Sequence, residues 1–284
     1  MVWHAGEIEL QRLVGSDEQL ARVGPRVIRP FMPEQHRELF EALPFFVLGG
    51  LDAQARPWAS VRAGSPGFLR APDDIHLAFE QTPDPTDPLD LQVGDPVGIL
   101  GIQPHTRRRN RANGHVVGVE ASCTTIRVTQ SFGNCPKYIT RREARFEPQR
   151  ASGLRVEVLE ALDDEARRLI SRADTFYVAS SFEGDVDVSH RGGPPGFVEV
   201  EDGVLRIPDY AGNRFFNTLG NLVLNPVAGL LFLDFDRAHA LHLSGHVTLE
   251  LRASDHAERQ WSFTPRSILW RRHAVPLQWR QSAP

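Results

Sequence analysis

The chain has 284 residues, which suits two domains of about 140 residues that each bury their own core. Hydrophobic residues make up 41% and charged residues 24%, a composition that argues against a disordered, collagenous or coiled-coil protein. The net charge of −4 disfavours a nucleic-acid partner, and the 23 glycines and 21 prolines favour short strands over an all-helical bundle.

The cysteines and the beginning of the chain bear on the compartment. Two cysteines, Cys123 and Cys135, are fewer than a secreted protein stabilised by disulfides normally carries. The first residues lack the basic start and apolar run of a signal peptide, and no stretch approaches the roughly 20 apolar residues that span a bilayer. We therefore expect a soluble, cytoplasmic protein that does not associate with membranes.

The first predicted unit spans residues 30–145 and begins with a helix. After Pro33, an apolar stripe of Leu39, Phe40 and Leu43 indicates one buried helix face. Short β-type runs follow, separated by turn residues, at 45–50, 58–62, 75–79 and 97–102. A helix followed by a meander of at least five or six strands closes most economically as a small barrel.

The second predicted unit spans residues 155–250 and has the same order of elements. Asp163 or Asp164 can cap a helix that carries Leu169 and Ile170 on one face. The β-type runs that follow lie at 176–181, 196–200, 204–207 and 229–235. Residues 1–29 and 251–284 are expected to be flanking segments that pack on the barrels.

The two units are copies of one repeat, offset by about 130 residues. Ser60 and Arg62 in the first unit correspond to Ser189 and Arg191 in the second. The further matches are Ser65–Leu69 with Pro194–Val198, Asp95–Val97 with Asn225–Val227, and Asn113–Val116 with Ser244–Val247. Landmarks that recur in one order predict two barrels side by side, forming a pseudo-dimer within one chain.

The segment from residue 189 to 225 combines cations, small polar side chains and glycines. Gly192 and Gly193 follow Arg191, and a glycine backbone can approach a ligand closely because it has no Cβ. Further on, Arg214, Asn217 and Thr218 lie at a predicted strand-to-helix junction, where an arginine fork and a helix N-terminus both suit phosphate. The segment indicates a site for a phosphorylated aromatic cofactor; the alternative is a turn with solvated arginines.

These features together resemble the FMN-binding split barrel of the pyridoxamine 5′-phosphate oxidase superfamily, in particular a bacterial flavin-nucleotide-binding branch with tandem repeats. The resemblance covers about residues 30–250. It implies a mainly β fold with flanking helices, in which two tandem split β-barrels form an intrachain pseudo-dimer with FMN across the interface. A possible homodimer is left open.

The resemblance also implies positions for the cofactor. Ser189 and Arg191 would approach the isoalloxazine or ribityl part of FMN, with Gly192 and Gly193 beside them, and the segment 130–139 would close over the flavin from the first half. The residues implied at the phosphate are Arg214, Asn217 and Thr218, and those implied in the closing segment are Ser131, Asn134, Lys137 and Tyr138.

The sequence departs from the family pattern in two places. The family's phosphate loop carries a Ser or Thr with a Lys, whereas this chain has Arg214 and Thr218 without a Lys. In the first repeat, the equivalent stretch 80–90 carries four carboxylates and no cation, which would repel a phosphate dianion. We therefore expect the first repeat to bind no FMN, so that each chain binds one.

Two other motifs each allow a structural and a functional interpretation. Cys135 is either a thiolate stabilised by Lys137 or by a helix N-terminus, or a small buried residue. The run Arg107–Arg111 is either a solvated hairpin tip or a site for the phosphate of a nicotinamide nucleotide. We expect a structural role for the histidines and no metal site, and we expect the tryptophans near the end to pack over a barrel or a partner chain. These residues are His115, His239, His242 and His246, and Trp261, Trp270 and Trp279.

The function that the resemblance implies is that of an FMN-binding oxidoreductase. It would transfer electrons from a reduced nicotinamide or a partner reductase to a small organic acceptor or oxygen, with Arg191 stabilising negative charge on the flavin. No side chain is assigned as a catalytic nucleophile. The alternative is a non-catalytic flavin-binding module that serves as electron relay, carrier or sensor. A pyridoxal phosphate salvage enzyme is disfavoured by the altered phosphate loop.

Overall fold

A computed structural model describes residues 2–80, 84–250 and 259–281, and two antiparallel sheets dominate it. Helices flank the sheets, and none of those in the described ranges has the length and apolarity that a membrane span needs. The described helices are α1 Ala5–Leu13, α2 Asp17–Val27, α3 Glu34–Ala42, α4 Asp164–Arg172 and α5 Asn217–Leu224.

The first sheet has seven strands, and the helix α3 precedes it as predicted. The strands of this sheet are β1 Phe45–Leu51, β2 Pro57–Ala63, β3 Leu69–Arg70, β4 His76–Glu80, β5 Pro96–Gln103, β6 Arg108–Val119 and β7 Cys123–Gly133. Their order is β2-β1-β5-β6-β7-β4-β3, so the two end strands are not paired with each other in the described residues. The sheet is thus open at its ends rather than closed, because β2 faces the other repeat.

The second sheet repeats this order with an added strand. After β8 Arg142–Phe146, its strands are β9 Arg155–Leu159, β10 Thr175–Phe182, β11 Asp185–Gly192, β12 Glu199–Glu201, β13 Val204–Asp209, β14 Val227–Asp234, β15 His239–Glu250 and β16 Arg259–Arg272. Their order is β11-β10-β14-β15-β16-β13-β12, with β9 pairing with β16. The strand β16 belongs to this sheet although it lies beyond residue 250, because it pairs along its length with β15 and β13. The last strand, β17 Leu277–Gln281, pairs with β8.

The strand registers define which residues of the two repeats are equivalent. Arg62 pairs with Phe46 and Arg191 pairs with Phe176, so the two arginines occupy the same place in the two sheets. Ser60 and Ser189 are equivalent by the same pairing. The mainly β fold with flanking helices and two tandem repeats is therefore confirmed.

The registers of the next strands extend the equivalence. Leu100 pairs with Arg111 in the first sheet, and Leu231 pairs with His242 in the second, so Arg111 corresponds to His242. Phe132 pairs with Arg111 and Leu269 with His242. Two residues further along each strand, Asn134 therefore corresponds to Arg271.

Each repeat has its own hydrophobic core, and a third hydrophobic cluster is shared between the two repeats. Side chains alternate across a strand, so Phe46 and Leu48 face the first repeat's core while Phe45 and Val47 join a cluster with Tyr177 and Leu231 of the second repeat. The backbones also approach closely: a Cβ on Gly229 would lie 2.4 Å from the carbonyl oxygen of Pro57. The pseudo-dimer is thus a single packed body.

The largest difference between the repeats lies after the fourth strand of each. The second repeat forms α5 there, whereas the described part of the first repeat, residues 84–95, has no helix. Pro85 and Pro88 break helical hydrogen bonding in this segment. The N-terminal helix α1 packs on α5, so it covers the second repeat.

The aromatic residues near the end of the chain pack inside the fold. Trp261 and Trp270 are fully buried in the core of the second repeat. Trp279 packs edge-on against Phe45 of the first repeat, at a centroid distance of 5.0 Å. Residues 251–258 of the predicted flanking segment lie outside the described residues.

Candidate functional site

A cavity of about 100 Å³ lies at the boundary of the two repeats. The second repeat contributes β11, the segment after β13 and the start of α5, and the first repeat contributes β6 and the residue after β7. Its described lining residues are Arg111, Asn134, Ser189, His190, Arg191, Asp209, Tyr210, Gly212, Asn213, Arg214, Phe216, Asn217, Thr218, Leu219 and Arg259.

Two hydroxyl groups meet at the start of α5. Ser189 on β11 and Thr218 in the first turn of the helix lie 2.7 Å apart through their Oγ and Oγ1 atoms, and both are buried. The residue before the helix, Phe216, provides no side-chain cap. The first N–H groups of a helix lack partners within the helix and carry partial positive charge, so this end suits an anion.

Arginines dominate the charge of the cavity wall. Arg191 Nη1 lies 2.6 Å from Asp209, and Arg259 Nε lies 3.1 Å from the second oxygen of the same carboxylate. Arg111 Nη1 donates to Asp187 at 2.8 Å and to Asn217 at 3.1 Å. With Arg214, four arginines line the cavity against one lining carboxylate, so the wall is net positive.

Three buried donors on this wall have no partner among the described residues. They are Arg111 Nε, Arg191 Nε and Asn134 Nδ2. Arginine nitrogens and the amide nitrogen of asparagine only donate hydrogen bonds. A buried donor without an acceptor is costly, so the arrangement fits a ligand that supplies several acceptor atoms.

The N-terminal helix also contributes to the site through Glu7. This side chain is buried, and its Oε1 accepts a hydrogen bond from Asn217 Nδ2 at 2.6 Å. Its Oε2 accepts one from the backbone N–H of His4 at 2.9 Å. Burial raises the pKa of Glu7 to about 7, against the opposing effect of these hydrogen bonds. Glu7 therefore positions Asn217 at the first turn of α5.

A second arginine from the first repeat lies behind the cavity. Arg109 Nη1 donates to His190 Nδ1 at 3.0 Å, and its Nε donates to the carbonyl oxygen of Cys135 at 2.9 Å. Since arginine only donates, Nδ1 of His190 is unprotonated. Burial lowers the pKa of His190 well below its ordinary value, and the neighbouring arginines act in the same direction. His190 is thus a neutral lining residue.

The structure brings six of the sequence-predicted residues to the cavity. These are Ser189, Arg191, Arg214, Asn217, Thr218 and Asn134. Tyr138 lies next to it and stacks on the lining residue Tyr210 at a centroid distance of 5.1 Å. Their contact with a cofactor stays a prediction.

Besides Tyr138, four predicted residues are not in the cavity lining. Lys137 is exposed, and Ser131 is fully buried with a hydrogen bond to His36. A Cβ on Gly192 would lie 1.9 Å from the carbonyl oxygen of Tyr138, and one on Gly193 would meet the ring of Phe197. The two glycines therefore allow close packing of protein against protein.

Sequence reasoning missed three charged lining residues. Arg111 was part of the run Arg107–Arg111, in which Arg107 does lie at a turn while Arg109 and Arg111 share one face of β6. That two-residue spacing is the signal that could have identified Arg111. Asp209 and Arg259 had no such signal, since their proximity depends on the pairing of β13 with β16.

The equivalent place in the first repeat is occupied by protein. The stretch 80–90 carries no cation of its own, but Asp87 contacts Arg62 of β2 and Arg271 of β16. The cations come from other strands and are invisible in the loop's own sequence. Residues 81–83 of this stretch lie outside the described residues.

A larger cavity of about 660 Å³ lies between the β1–β2 turn and β16, and none of the predicted site residues lines it. Its wall mixes aliphatic side chains with carboxylates and arginines, several of which pair with each other, such as Arg56 with Asp52 at 2.7 Å. Clusters of side chains that could hold a metal ion are absent from the described part of the chain.

Comparison with known proteins gives similarity to solved structures only, since no family model and no curated protein matches the chain. A Clostridium acetobutylicum protein of the pyridoxinephosphate oxidase family is 15% identical, covering 41% of this chain and 92% of its own, with a TM-score of 0.31. An FAD binding protein from Mycobacterium smegmatis is 12% identical, covering 41% and 97%, with a TM-score of 0.30. A NimC/NimA family protein, also from Clostridium acetobutylicum, is 14% identical, covering 37% and 83%, with a TM-score of 0.29.

The structural neighbours thus include a protein of the pyridoxinephosphate oxidase family, the group that the sequence resembles, and an FAD binding protein. Each of these neighbours spans about two fifths of this chain. The two-repeat architecture itself rests on the strand pairing described above.

Proposed function

We propose that the chain binds a flavin nucleotide, FMN, at the cavity between its repeats and acts there as an oxidoreductase. Electrons would come from a reduced nicotinamide or a partner reductase and pass to a small organic acceptor or oxygen. The observation that carries the proposal is the set of buried donors on the cavity wall that lack an acceptor: Arg111 Nε, Arg191 Nε and Asn134 Nδ2.

The residues at the start of α5 suit the phosphate end of the nucleotide. Ser189 and Thr218 offer hydroxyl groups, the helix offers uncapped N–H groups, and Arg214 lines the same cavity. A phosphate dianion would bring acceptor oxygens and negative charge to a wall with four arginines. Asn217 is held in place by Glu7 and Arg111, so this part of the site needs little reorganisation on binding.

The rest of the nucleotide would extend beyond the enclosed space. Ligand cavities usually measure roughly 300–1,000 Å³, whereas this one measures about 100 Å³. Next to it, the stacked pair of Tyr138 and Tyr210 presents an aromatic surface that suits a planar ring.

Bound FMN would supply the electron-transfer chemistry, and the chain's own residues would set its electrostatics. Arg191 is held by Asp209, and Arg111 by Asp187, each at less than 3 Å. These fixed cations would favour the more negative form of a bound ligand without reorganising. Arg109 keeps Nδ1 of His190 unprotonated, so His190 adds no positive charge there.

Titration of the protein with FMN tests the proposal. We expect saturation at one FMN per chain, followed by absorbance and fluorescence. Arg191→Gln should weaken FMN binding by roughly 10- to 100-fold, the usual effect of losing a hydrogen bond between charged groups. Arg206→Gln is the matched control, because Arg206 pairs with Glu201 away from the cavity, and it should leave affinity unchanged.

Two outcomes would contradict the proposal. A protein that takes up no FMN would exclude flavin binding, and equal affinity in the Arg191 and Arg206 variants would exclude this cavity as the site. Anaerobic bleaching of the bound flavin by NADH or NADPH separates an oxidoreductase from a flavin-binding module. Binding without bleaching by a nicotinamide or a reductase would favour the module.

A further inference from the structure

The first repeat contains a cluster of cationic and hydroxyl side chains at the place equivalent to the second repeat's cavity. Ser60 and Arg62 on β2 correspond to Ser189 and Arg191 on β11. His242 and Arg271 of the second repeat correspond to Arg111 and Asn134 of the first. The second repeat's cavity is therefore built from β11 of that repeat and from β6 and the residue after β7 of the first repeat. The equivalent place is built from β2 of the first repeat and from β15 and β16 of the second.

One carboxylate lies at the centre of this cluster. Asp87 Oδ2 lies 2.9 Å from Arg62 Nη1 and 3.0 Å from Arg271 Nη1, and it also accepts a hydrogen bond from Ser60. Its Oδ1 accepts from Arg62 Nη2 at 3.1 Å, so Arg62 holds it with two parallel bonds. Side chains of Asp87 and Arg271 are each only 5% exposed.

The neighbouring Asp84 and Thr86 complete the arrangement. Arg271 also contacts the carboxylate of Asp84, and its Nε donates to Thr86 Oγ1 at 3.3 Å. The segment between residues 84 and 87 thus delivers two carboxylates to cations that belong to β2 and β16.

The surroundings of Asp87 favour an anion over a neutral group. Burial alone would raise the pKa of Asp87, but Arg62 and Arg271 outweigh it and hold that pKa well below its ordinary value. His242 donates from Nδ1 to the carbonyl oxygen of Ala59 at 2.9 Å, and its buried Nε2 has no partner among the described residues. Burial and then Arg271 lower the pKa of His242 to about 4, so the cations here are the two arginines.

We propose that the first repeat retains an oxyanion site, formed by Ser60, Arg62 and Arg271, whose ligand is the Asp87 carboxylate of the same chain. Removal of this carboxylate opens the site to a tetrahedral oxyanion such as phosphate. The first repeat is thus closed to phosphate because its site is occupied, and not because the surface around it is acidic. This inference does not depend on flavin binding in the second repeat.

The test is rescue of an Asp87→Ala variant by inorganic phosphate. The variant loses a carboxylate that Arg62 and Arg271 share, and it is expected to melt at a lower temperature than the unmodified protein. Phosphate, compared with chloride at equal ionic strength, should then raise its melting temperature in a saturable way. The expected rise is roughly 5 °C at a concentration about a hundredfold above the dissociation constant.

Two comparisons isolate the site. The unmodified protein reports any stabilisation by phosphate at the second repeat, so only the additional rise in Asp87→Ala counts. The matched control is Asp87→Ala with Arg62→Gln, which lacks the bidentate partner and should lose that additional rise. Isothermal titration with phosphate should give one more binding site per chain in Asp87→Ala than in the unmodified protein.

The proposal is overturned if phosphate stabilises Asp87→Ala no more than it stabilises the unmodified protein. It is equally overturned if the double variant is stabilised as much as the single variant. An Asp87→Ala protein that stays unfolded in saturating phosphate would contradict it too, because the proposed ligand should restore the fold.

Discussion

The equivalent places in the two repeats differ in whether their arginines keep a buried N–H group without an acceptor. In the first repeat, Arg62 and Arg271 surround the carboxylate of Asp87. In the second repeat, Nε of Arg191 and of Arg111 are buried without an acceptor among the described residues. One place is satisfied by the chain, and the other is suited to an external anion.

The difference has two sources: the segment that follows the fourth strand of each repeat, and the equivalent positions where Arg111 and Asn134 correspond to His242 and Arg271. Strand pairing places Ser60 with Arg62 and Ser189 with Arg191 in the same register. In the second repeat the segment turns into α5, whose first turn faces the cavity with Thr218. In the first repeat the segment contains Pro85 and Pro88, which disfavour a helix, and it delivers Asp87 instead. A repeated scaffold can therefore keep or close a site through one connection and two strand positions.

The variant with the largest expected effect on stability is Arg111→Met. Asp187, the partner of Arg111, is fully buried, so Arg111→Met leaves an unpaired buried carboxylate and should lower the free energy of unfolding by about 3–5 kcal/mol. The matched first-repeat variant Arg62→Met should cost clearly less, because Asp87 keeps Arg271. Urea unfolding without added flavin measures both.

A control separates the charge from the packing of the arginine stem. Asp187→Asn added to Arg111→Met removes the unpaired charge and should recover part of the loss. Equal destabilisation by Arg111→Met and Arg62→Met would show that the two carboxylates depend on their arginines to the same degree, which contradicts the comparison.

Much of the fold could be predicted because repeats and strand alternation are local signals. The offset of about 130 residues predicted two units with the same order of strands, and the registers of β1 with β2 and of β10 with β11 agree with it. Each of the eight predicted β-type runs overlaps a described strand, whereas β6, β7, β11 and β15 fall on no predicted run. Helices α1 and α2 were not predicted, since the N-terminal segment has no counterpart in the second unit.

The site was predicted where its residues are close in sequence and missed where they are close only in space. Asn217 and Thr218 share a short segment with Arg214, and all three line the cavity. Arg259 reaches Asp209 only through the pairing of β16 with β13, which no sequence spacing reveals. For the same reason the sequence did not reveal the arginines that contact Asp87, which lie on β2 and β16.

The second-largest expected effect is on the pH dependence of stability, and it concerns Glu7, which has no counterpart in the first repeat. Its pKa in the folded protein is about 7, above the ordinary value of 4.5 for glutamate, so the native state binds its proton more tightly than the unfolded chain. The stability that depends on this proton is present below pH 4.5 and is lost as pH rises towards 7. The loss should reach roughly 3 kcal/mol above pH 7.

Glu7→Gln tests this by removing the titration while keeping an acceptor for Asn217. The variant should therefore become more stable relative to the unmodified protein as pH rises from 5 to 8, with urea unfolding measured at both pH values. The difference between the two proteins cancels other titrating groups that they share. A difference that stays constant with pH would show that Glu7 does not titrate in this range.

The smallest effect compares two threonines, one in each of the connections that follow the fourth strand of a repeat. Thr218 shares a hydrogen bond with Ser189 at 2.7 Å, and Thr218→Val should weaken FMN binding about fivefold, which corresponds to about 1 kcal/mol for one neutral hydrogen bond. Thr86 donates to Asp84 at 2.6 Å inside the closed first-repeat site, so Thr86→Val should leave FMN affinity unchanged. Fluorescence titration of FMN measures both affinities. If Thr86→Val weakened binding as much as Thr218→Val, the flavin would contact the first repeat's connection as well, and the division between a closed and an open site would be wrong.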